Sequence, residues 1–447
     1  MRKHINRAVI LFFCVCAMLI ISSCAGQANI SGSNDSNNDS KSSFNAVEVE
    51  AIALEAPIYG TQETAIRAAA TGANDFAFRL SAALVKNTGD ENFVCSPYSV
   101  WMPLAALVNA TNAQNKAALL DALGASGITE TDINRAASRM LFDMTKLRNE
   151  EYTEYYYNPL RIANAIFVGI DVTLKREFAQ VFMDYYRGNA INVNFESKDA
   201  VEAVNRWASD NTDGLITNVI QEFVPLTVAA IANAIYYSDR WEWEFDADMT
   251  TQGVFHASAG DTTAFYMLRE GDSQTYYEDD LVQAMPLRLK AGGGMCIILP
   301  KSGNAVELLS SMTSEYFREI QMDSISATGK LLLPRFSIEN DVKGLVNTLM
   351  MLGVPLFDEK AAPLTGGLIE ESIPVWLSDA IQKAVIHVDE KGTTAAAVTV
   401  MPTAGAGMPL PTEPFEMICD RPFMFILYES TYDGGYQVLF TGIVNQP

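Results

Sequence analysis

From Gly392 to Thr412 the chain carries no charged residue, although 19% of all its residues are charged. The run GTTAAAVTVMPTAGAGMPLPT follows the strand-like AVIHVDEK and precedes the strand-like PFMFILYE. Its Ala and Thr residues could slip between strands without requiring a cavity. A Lys or Glu among them would be expensive to bury unpaired. Gly392 is free of the Cβ restriction and can turn the chain back on itself. Taken alone, the segment reads either as a strand or as a small-residue surface loop. Any fold for this chain must accommodate one or the other.

The rest of the chain is mixed. Helical spacing marks 74–86, 99–124 as two helices with a break, 199–216, 305–312 and 342–354. Strand-like runs occupy 160–169, the start of 227–245, 284–290, 295–300, 331–339, 422–429 and 437–444. AGGG at 291–294 reads as a hairpin turn. No βαβ alternation and no internal repeat is visible, so an α+β domain is expected over residues 67–447. A net charge of −23 argues against nucleic acid as a partner, because polyanions are bound on a basic face.

The first residues read as a targeting segment. Arg2, Lys3 and Arg7 precede the apolar AVILFFCVCAMLII, and ISSC ends at Cys24. The pattern resembles a bacterial lipobox. That implies a signal peptide over 1–23, lipidation of Cys24 and a place in the bacterial cell envelope, lipid-anchored and facing the exterior. An ordinary signal peptide or a membrane anchor is the alternative. The polar tract GSNDSNNDSKSS has nothing to bury. Residues 24–66 therefore read as a flexible tether, with an end-to-end distance of roughly 35 Å for a random coil. Of six cysteines, Cys95, Cys296 and Cys419 remain for the domain. Three scattered residues in apolar surroundings read as buried free thiols.

Catalytic patterns are missing. Of three histidines, His4 lies in the targeting segment, and His256 and His387 each sit in an apolar, strand-like setting that favours a structural role. No G-x-S-x-G elbow, S-x-x-K or H-E-x-x-H occurs, and neither metal-ligand spacing nor a phosphate loop is present. The expectation is a protein that is not an enzyme and takes no cofactor and no metal.

Ordered motifs supply more. NFVCSPYSV (92–100), LRIANAIFV (160–168), NRWASDNTDGLI (205–216) and AIANAIYYSDRWEWEF (230–245) are followed by LPRFSIE, LMMLGVPLFD, QKAVIHVDEKGTTAAAVT, RPFMFIL and FTGIVNQP. Together they resemble the serpin family of serine protease inhibitors over the whole of 67–447. The resemblance implies a monomer with three β-sheets around a central sheet A, about eight to nine helices and an exposed reactive-centre loop at about 390–411. It implies a polar shutter beneath sheet A formed by Ser96, Ser99, Asn233 and Gln382. Gln382 stands where the family usually has histidine, and it can donate to Asn233 and Ser96 but cannot change charge with pH.

The family's mechanism answers the puzzle of the uncharged run, which is loop before cleavage and strand afterward. The hinge maps to Glu390, Gly392, Thr393, Ala395, Ala396 and Ala397. Period-two alternation puts Thr393, Ala395, Ala397, Thr399 and Met401 on the inward face. Pro402 lacks an N–H, so insertion is expected to weaken or end near it. Family spacing from Gly392 puts the reactive bond between Ala406 and Gly407, with Ala404 and Met408 as alternatives. No Arg, Lys or aromatic residue stands near that bond. The implied partner is therefore an elastase-like or subtilisin-like serine protease, held as a covalent complex. The alternative is a non-inhibitory serpin acting as a binding or folding-helper protein.

Overall fold

The computed structural model describes residues 12–23, 63–145, 160–290, 292–391, 413–431 and 435–447. In chain order the first elements are β1 (Phe12–Ser23), α1 (Glu63–Leu84), β2 (Phe93–Cys95), α2 (Pro97–Leu107), α3 (Ala113–Ala122) and α4 (Glu130–Thr145). Then come β3 (Leu160–Gly169), α5 (Arg176–Tyr186), β4 (Gly188–Val193), α6 (Lys198–Asn211), β5 (Thr227–Ser238), β6 (Thr251–Ala257), β7 (Gly260–Glu278), β8 (Val282–Arg288) and β9 (Gly294–Pro300). The remainder are α7 (Ala305–Ser311), α8 (Ser314–Asp323), β10 (Ile325–Pro334), β11 (Phe336–Asp341), α9 (Leu345–Met351), β12 (Val375–Val388), β13 (Phe415–Ile418), β14 (Phe423–Ser430) and β15 (Tyr436–Val444).

One sheet has six strands in the order β11-β12-β1-β5-β3-β4. The other strands form a nine-stranded sheet, an eight-stranded path with β6 paired beside it on β7, in which the long β7 joins two parts. One part is made with β6, β10 and β13, the other with β8, β9, β14, β15 and β2. The α+β class holds, and so do the three expected sheets, two of which share β7. Nine α-helices lie among the described residues.

Local chemistry explains the pieces next to the six-stranded sheet. The Ser96 hydroxyl caps α2 by accepting from the Ser99 N–H, and Pro97 opens the helix with φ already set. Every residue of α2 is buried, so it is a core helix with no polar stripe. Helix α6 is amphipathic, and its Ala200, Val204 and Ala208 turn onto the sheet. The sheet is thereby covered on both faces, with α2 on one side and α6 on the other. Cys95, Cys296 and Cys419 are free and buried. Burial pushes the Cys95 thiol up to about 11, against hydrogen bonds with Thr441 and Ser81.

Two boundaries differ from the sequence reading. Helix α1 begins at Glu63, four residues before the expected start of the domain. The larger difference is at the N-terminus. The sequence reading sets residues 1–23 apart from the fold, whereas Phe12–Ser23 lies in the middle of the six-stranded sheet as β1. An uncharged apolar run finds two strand edges there and apolar cover on both faces.

Candidate functional site

The site is the interval between β5 and β12. Both strands pair antiparallel with β1, from Phe12 opposite His387 and Ser238 to Ser23 opposite Val375. They therefore run parallel to each other, separated by one strand width. β5 (TVAAIANAIYYS) is buried along almost its whole length and rich in alanine, which suits a strand with neighbours on both edges and both faces. On one side Leu19 joins the core containing Ile231, Ile235 and α2. On the other, Met18 and Ile20 pack with Ala230, Ala232, Phe167 and the α6 residues Val204 and Ala208.

Beneath the middle of this interval lie the four shutter residues. Gln382, 1% exposed, accepts from the Ser96 N–H at 3.0 Å and donates to the Ser96 carbonyl at 2.8 Å. The Ser96 hydroxyl also donates to the Leu439 carbonyl at 2.7 Å. Asn233 turns elsewhere: its amide donates to Asn164 Oδ1 at 2.8 Å, and Asn164 donates to the Tyr186 carbonyl. The expected Gln382–Asn233 hydrogen bond is thus not formed, because Ala17 of β1 stands between them in register. Asn233 Oδ1 and the Ser99 hydroxyl are buried with no hydrogen-bond partner among the described residues.

Two backbone groups of Ser96 depend on one side chain. Gln382→Leu would leave both unpaired in the core, at about 1–3 kcal/mol for each. The expected result is a loss of about 2–6 kcal/mol, read as a lower urea midpoint with unchanged slope.

Where the chain leaves β12, it is clamped. The Trp241 indole donates to the Asp389 carbonyl at 2.9 Å, and the Phe245 N–H donates to the Glu390 carbonyl at 2.9 Å. The Asp389 carboxylate accepts from the Lys391 N–H. Arg335, at the break between β10 and β11, grips the Glu390 carboxylate through Nε at 2.8 and 2.9 Å, and Thr250 donates to the same group. The Glu390 side chain is 6% exposed.

Burial by itself would raise the Glu390 carboxyl. The hydrogen bonds from Arg335, Thr250 and the backbone, with the Arg335 charge, outweigh burial and hold it below the usual carboxylate value. A lowered folded-state pKa means stability that is present above the ordinary carboxylate range and lost as pH falls through the lowered value. Arg335 is about half exposed, so Glu390→Gln is expected to cost only about 1–2 kcal/mol at neutral pH. Unfolding measured from pH 7 downward should show that difference shrinking once the pH drops below the ordinary carboxylate range.

Sequence reasoning named Glu390 but gave no role to Arg335, Thr250, Trp241 or Phe245. Trp241 and Phe245 stand inside the quoted block AIANAIYYSDRWEWEF, and Arg335 is a charge between two apolar runs, LLLP and FSIE. Those were the available signals. Gly392, Thr393, Ala395, Ala396 and Ala397, the bond Ala406–Gly407 with Ala404 and Met408, and Cys24 all lie outside the described residues. His256 sits in the exposed β6–β7 hairpin bonded to Asp261 at 2.8 Å, and His387 lies within β12.

Comparison with known proteins decides the family. The profile described as "Serpin (serine protease inhibitor)" matches residues 71–447. The chain belongs to the serpin family. Mouse (Mus musculus) alpha-1-antitrypsin 1-4 is 28% identical over 374 residues, covering 82% of this serpin and 87% of the relative. Serpin48 of the insect Tenebrio molitor, described as highly specific, has a TM-score of 0.68 at 25% identity, covering 85% of this serpin and 98% of the other chain. Human thyroxine-binding globulin complexed with thyroxine has a TM-score of 0.71 at 23% identity, covering 86% and 99%, and shares the fold. Serpins are mostly protease inhibitors rather than catalysts, and their targets are serine proteases.

Proposed function

We propose that this serpin is a suicide-type inhibitor of elastase-like or subtilisin-like serine proteases, cut between Ala406 and Gly407 and lipid-anchored through Cys24 on the outside of a bacterial cell envelope. The observation that carries the reading is the direction of the interval between β5 and β12. It takes a strand antiparallel to β12, and the chain leaving β12 at Val388 would run in that sense after one turn at Gly392.

The protease serine attacks the Ala406 carbonyl, Gly407 leaves as the new N-terminus, and an acyl-enzyme forms. Insertion of the freed segment then carries the protease along before water can release it. Alanine, valine and methionine suit shallow specificity pockets. The absence of Arg, Lys and aromatic residues from 392 to 412 removes the anchors that trypsin-like and chymotrypsin-like enzymes need.

With Ala397 in the place of Ala17, the loop residues Thr393, Ala395, Ala397, Thr399 and Met401 face the side on which Leu19 lies. In that register Pro402 takes the place of Ser22. The β1–β5 register already shifts between Ile21 and Ser22, so the missing N–H falls at an interruption of the ladder.

The test is to mix the processed protein, recovered from the cell envelope, with an elastase-type serine protease. A denaturing gel and mass spectrometry of the released peptide are the readouts. A complex that survives boiling, with release beginning at Gly407, is expected. Cleavage without complex would favour the second reading, a non-inhibitory serpin. That reading draws support from the thyroxine-binding globulin likeness, since in that protein the same fold binds thyroxine.

A further inference from the structure

We infer that residues 12–23 are a place-holder strand: in the unprocessed chain they fill the interval between β5 and β12 and keep the reactive loop out of it. Removing them arms the inhibitor. The inference rests on the inhibitory reading above and adds its regulation.

The geometry is specific to a strand and not to a loosely lodged apolar tail. β1 pairs along twelve residues with β12, and from Phe12 to Ser22 with β5. Met18, Leu19 and Ile20 are at most 1% exposed. They divide between two cores, Leu19 to the α2 side and Met18 with Ile20 to the α6 side. At the far end the Ser22 hydroxyl donates to Ser378 Oγ at 2.7 Å, and Ser378 reaches the Ile20 carbonyl at 3.3 Å.

Each backbone edge can pair once. With β1 in place, the facing edges of β5 and β12 have their partner, and a second strand has nowhere to enter. A protease that cut the loop of this form would complete hydrolysis, because the insertion that should outrun water is blocked. The two candidate occupants share what the interval demands: neither Ala8–Ser23 nor Gly392–Thr412 contains a charge, and both would run antiparallel to β12.

Arming requires that 12–23 leave the sheet for the membrane, that the Cys24 thiol take its lipid from a membrane phospholipid whose headgroup leaves, and that a membrane signal peptidase hydrolyse the Ser23–Cys24 peptide bond. Water supplies the hydroxyl of the new Ser23 carboxyl and the hydrogen on the Cys24 nitrogen. The strand leaves with the signal, and β5 and β12 then expose the edges on which loop insertion gains its free energy. Inhibition would thus begin at the membrane and not in the compartment of synthesis.

The experiment compares three forms. The first is the full chain made by cell-free translation without membranes. The second is the same chain carrying Met18→Asp and Leu19→Asp, one charge into each face of the sheet. The third is the processed protein. Hydrogen exchange by mass spectrometry on the first form needs no variant: amides of 12–23, like those of β5 and β12, should exchange at least about a hundredfold more slowly than an unstructured chain. A synthetic peptide of Thr393–Thr403 should leave the full chain unchanged but raise the melting temperature of the double variant and the processed protein. Complex formation with an elastase-type protease should follow the same division.

Peptide uptake by the double variant without any covalent complex would uphold the place-holder and sink the inhibitory reading. Rapid exchange across 12–23, or peptide uptake by the unaltered full chain, would overturn the place-holder even if inhibition were observed. Should the double variant fail to fold, exchange on the unaltered chain and the comparison with processed protein decide alone.

Discussion

Ala397→Glu in the processed chain is expected to yield cleaved serpin and free protease where the unaltered chain yields a trapped complex. In the register proposed above, Ala397 takes the position of Ala17, opposite Asn233 on β5 and Gln382 on β12. Both neighbours are at most 1% exposed. The Gln382 amide is committed to Ser96 on both of its atoms. Among the described residues, the unsatisfied side-chain group on those strands is Asn233 Oδ1, an acceptor that repels a carboxylate. The introduced charge therefore arrives buried and unpaired.

The effective penalty for such a charge is several kcal/mol, and about 1.4 kcal/mol corresponds to a tenfold change in rate. If even about 3 kcal/mol of it is felt before the segment is fully seated, insertion slows by about a hundredfold. Deacylation proceeds at its own rate and wins. The measurement is the ratio of boil-stable complex to cleaved serpin on a denaturing gel. Ala397→Ser, nearly the same size and able to donate to Asn233 Oδ1, should keep the ratio within a few-fold. An unchanged ratio for Ala397→Glu would sink insertion in this register.

Much of this arrangement could be read from the sequence, and the residues show why. β3 and β5 were legible because both are largely apolar, broken only by Arg161 and Asn164 inside β3 and by Asn233 inside β5, as strands covered on both faces should be. The paired helices α2 and α3 were visible through their break at Asn109–Asn112. The Gln382–Ser96 link was legible through motif position. What could not be read depends on distance in the chain. Arg335 meets Glu390 across fifty-five residues, and nothing local in LLLPRFSIE marks that arginine as a clamp.

The N-terminal strand was not legible for a different reason. A signal peptide and a buried central strand have the same composition, because bilayer and protein core both reject charge. Period and length could not separate them. Ala17 also explains the misplaced Asn233 contact, since sequence reasoning had no strand to insert between β5 and β12.

The second large effect belongs to Trp241. It is fully buried, stacks edge-on against Phe245 with centroids 6.0 Å apart at 73°, and donates to the Asp389 carbonyl. Arg269 lies over the other ring, 4.6 Å from the Phe245 centroid, and donates to the Trp243 carbonyl. Burial draws the Arg269 pKa down to about 10, which leaves it protonated at neutral pH and able to hold that ring.

Trp241→Ala removes the largest side chain of this layer together with the hydrogen bond to the hinge. The expected cost is about 3–5 kcal/mol for cavity and lost contacts. For a domain of this size that corresponds to a melting temperature lower by on the order of 5 °C. Trp241→Phe restores most of the packing and leaves only the Asp389 carbonyl without its donor, so it should lose about 1–2 kcal/mol.

The pair separates packing from tethering. Hydrogen exchange at Asp389–Lys391 should quicken in both variants, because both release that carbonyl, while global stability should fall sharply only in Trp241→Ala. If Trp241→Phe loses as much stability as Trp241→Ala, the hinge bond and not the filled volume secures this end of the sheet. The indole N–H would then count for more at the departure point of the reactive loop than the volume of the ring that carries it.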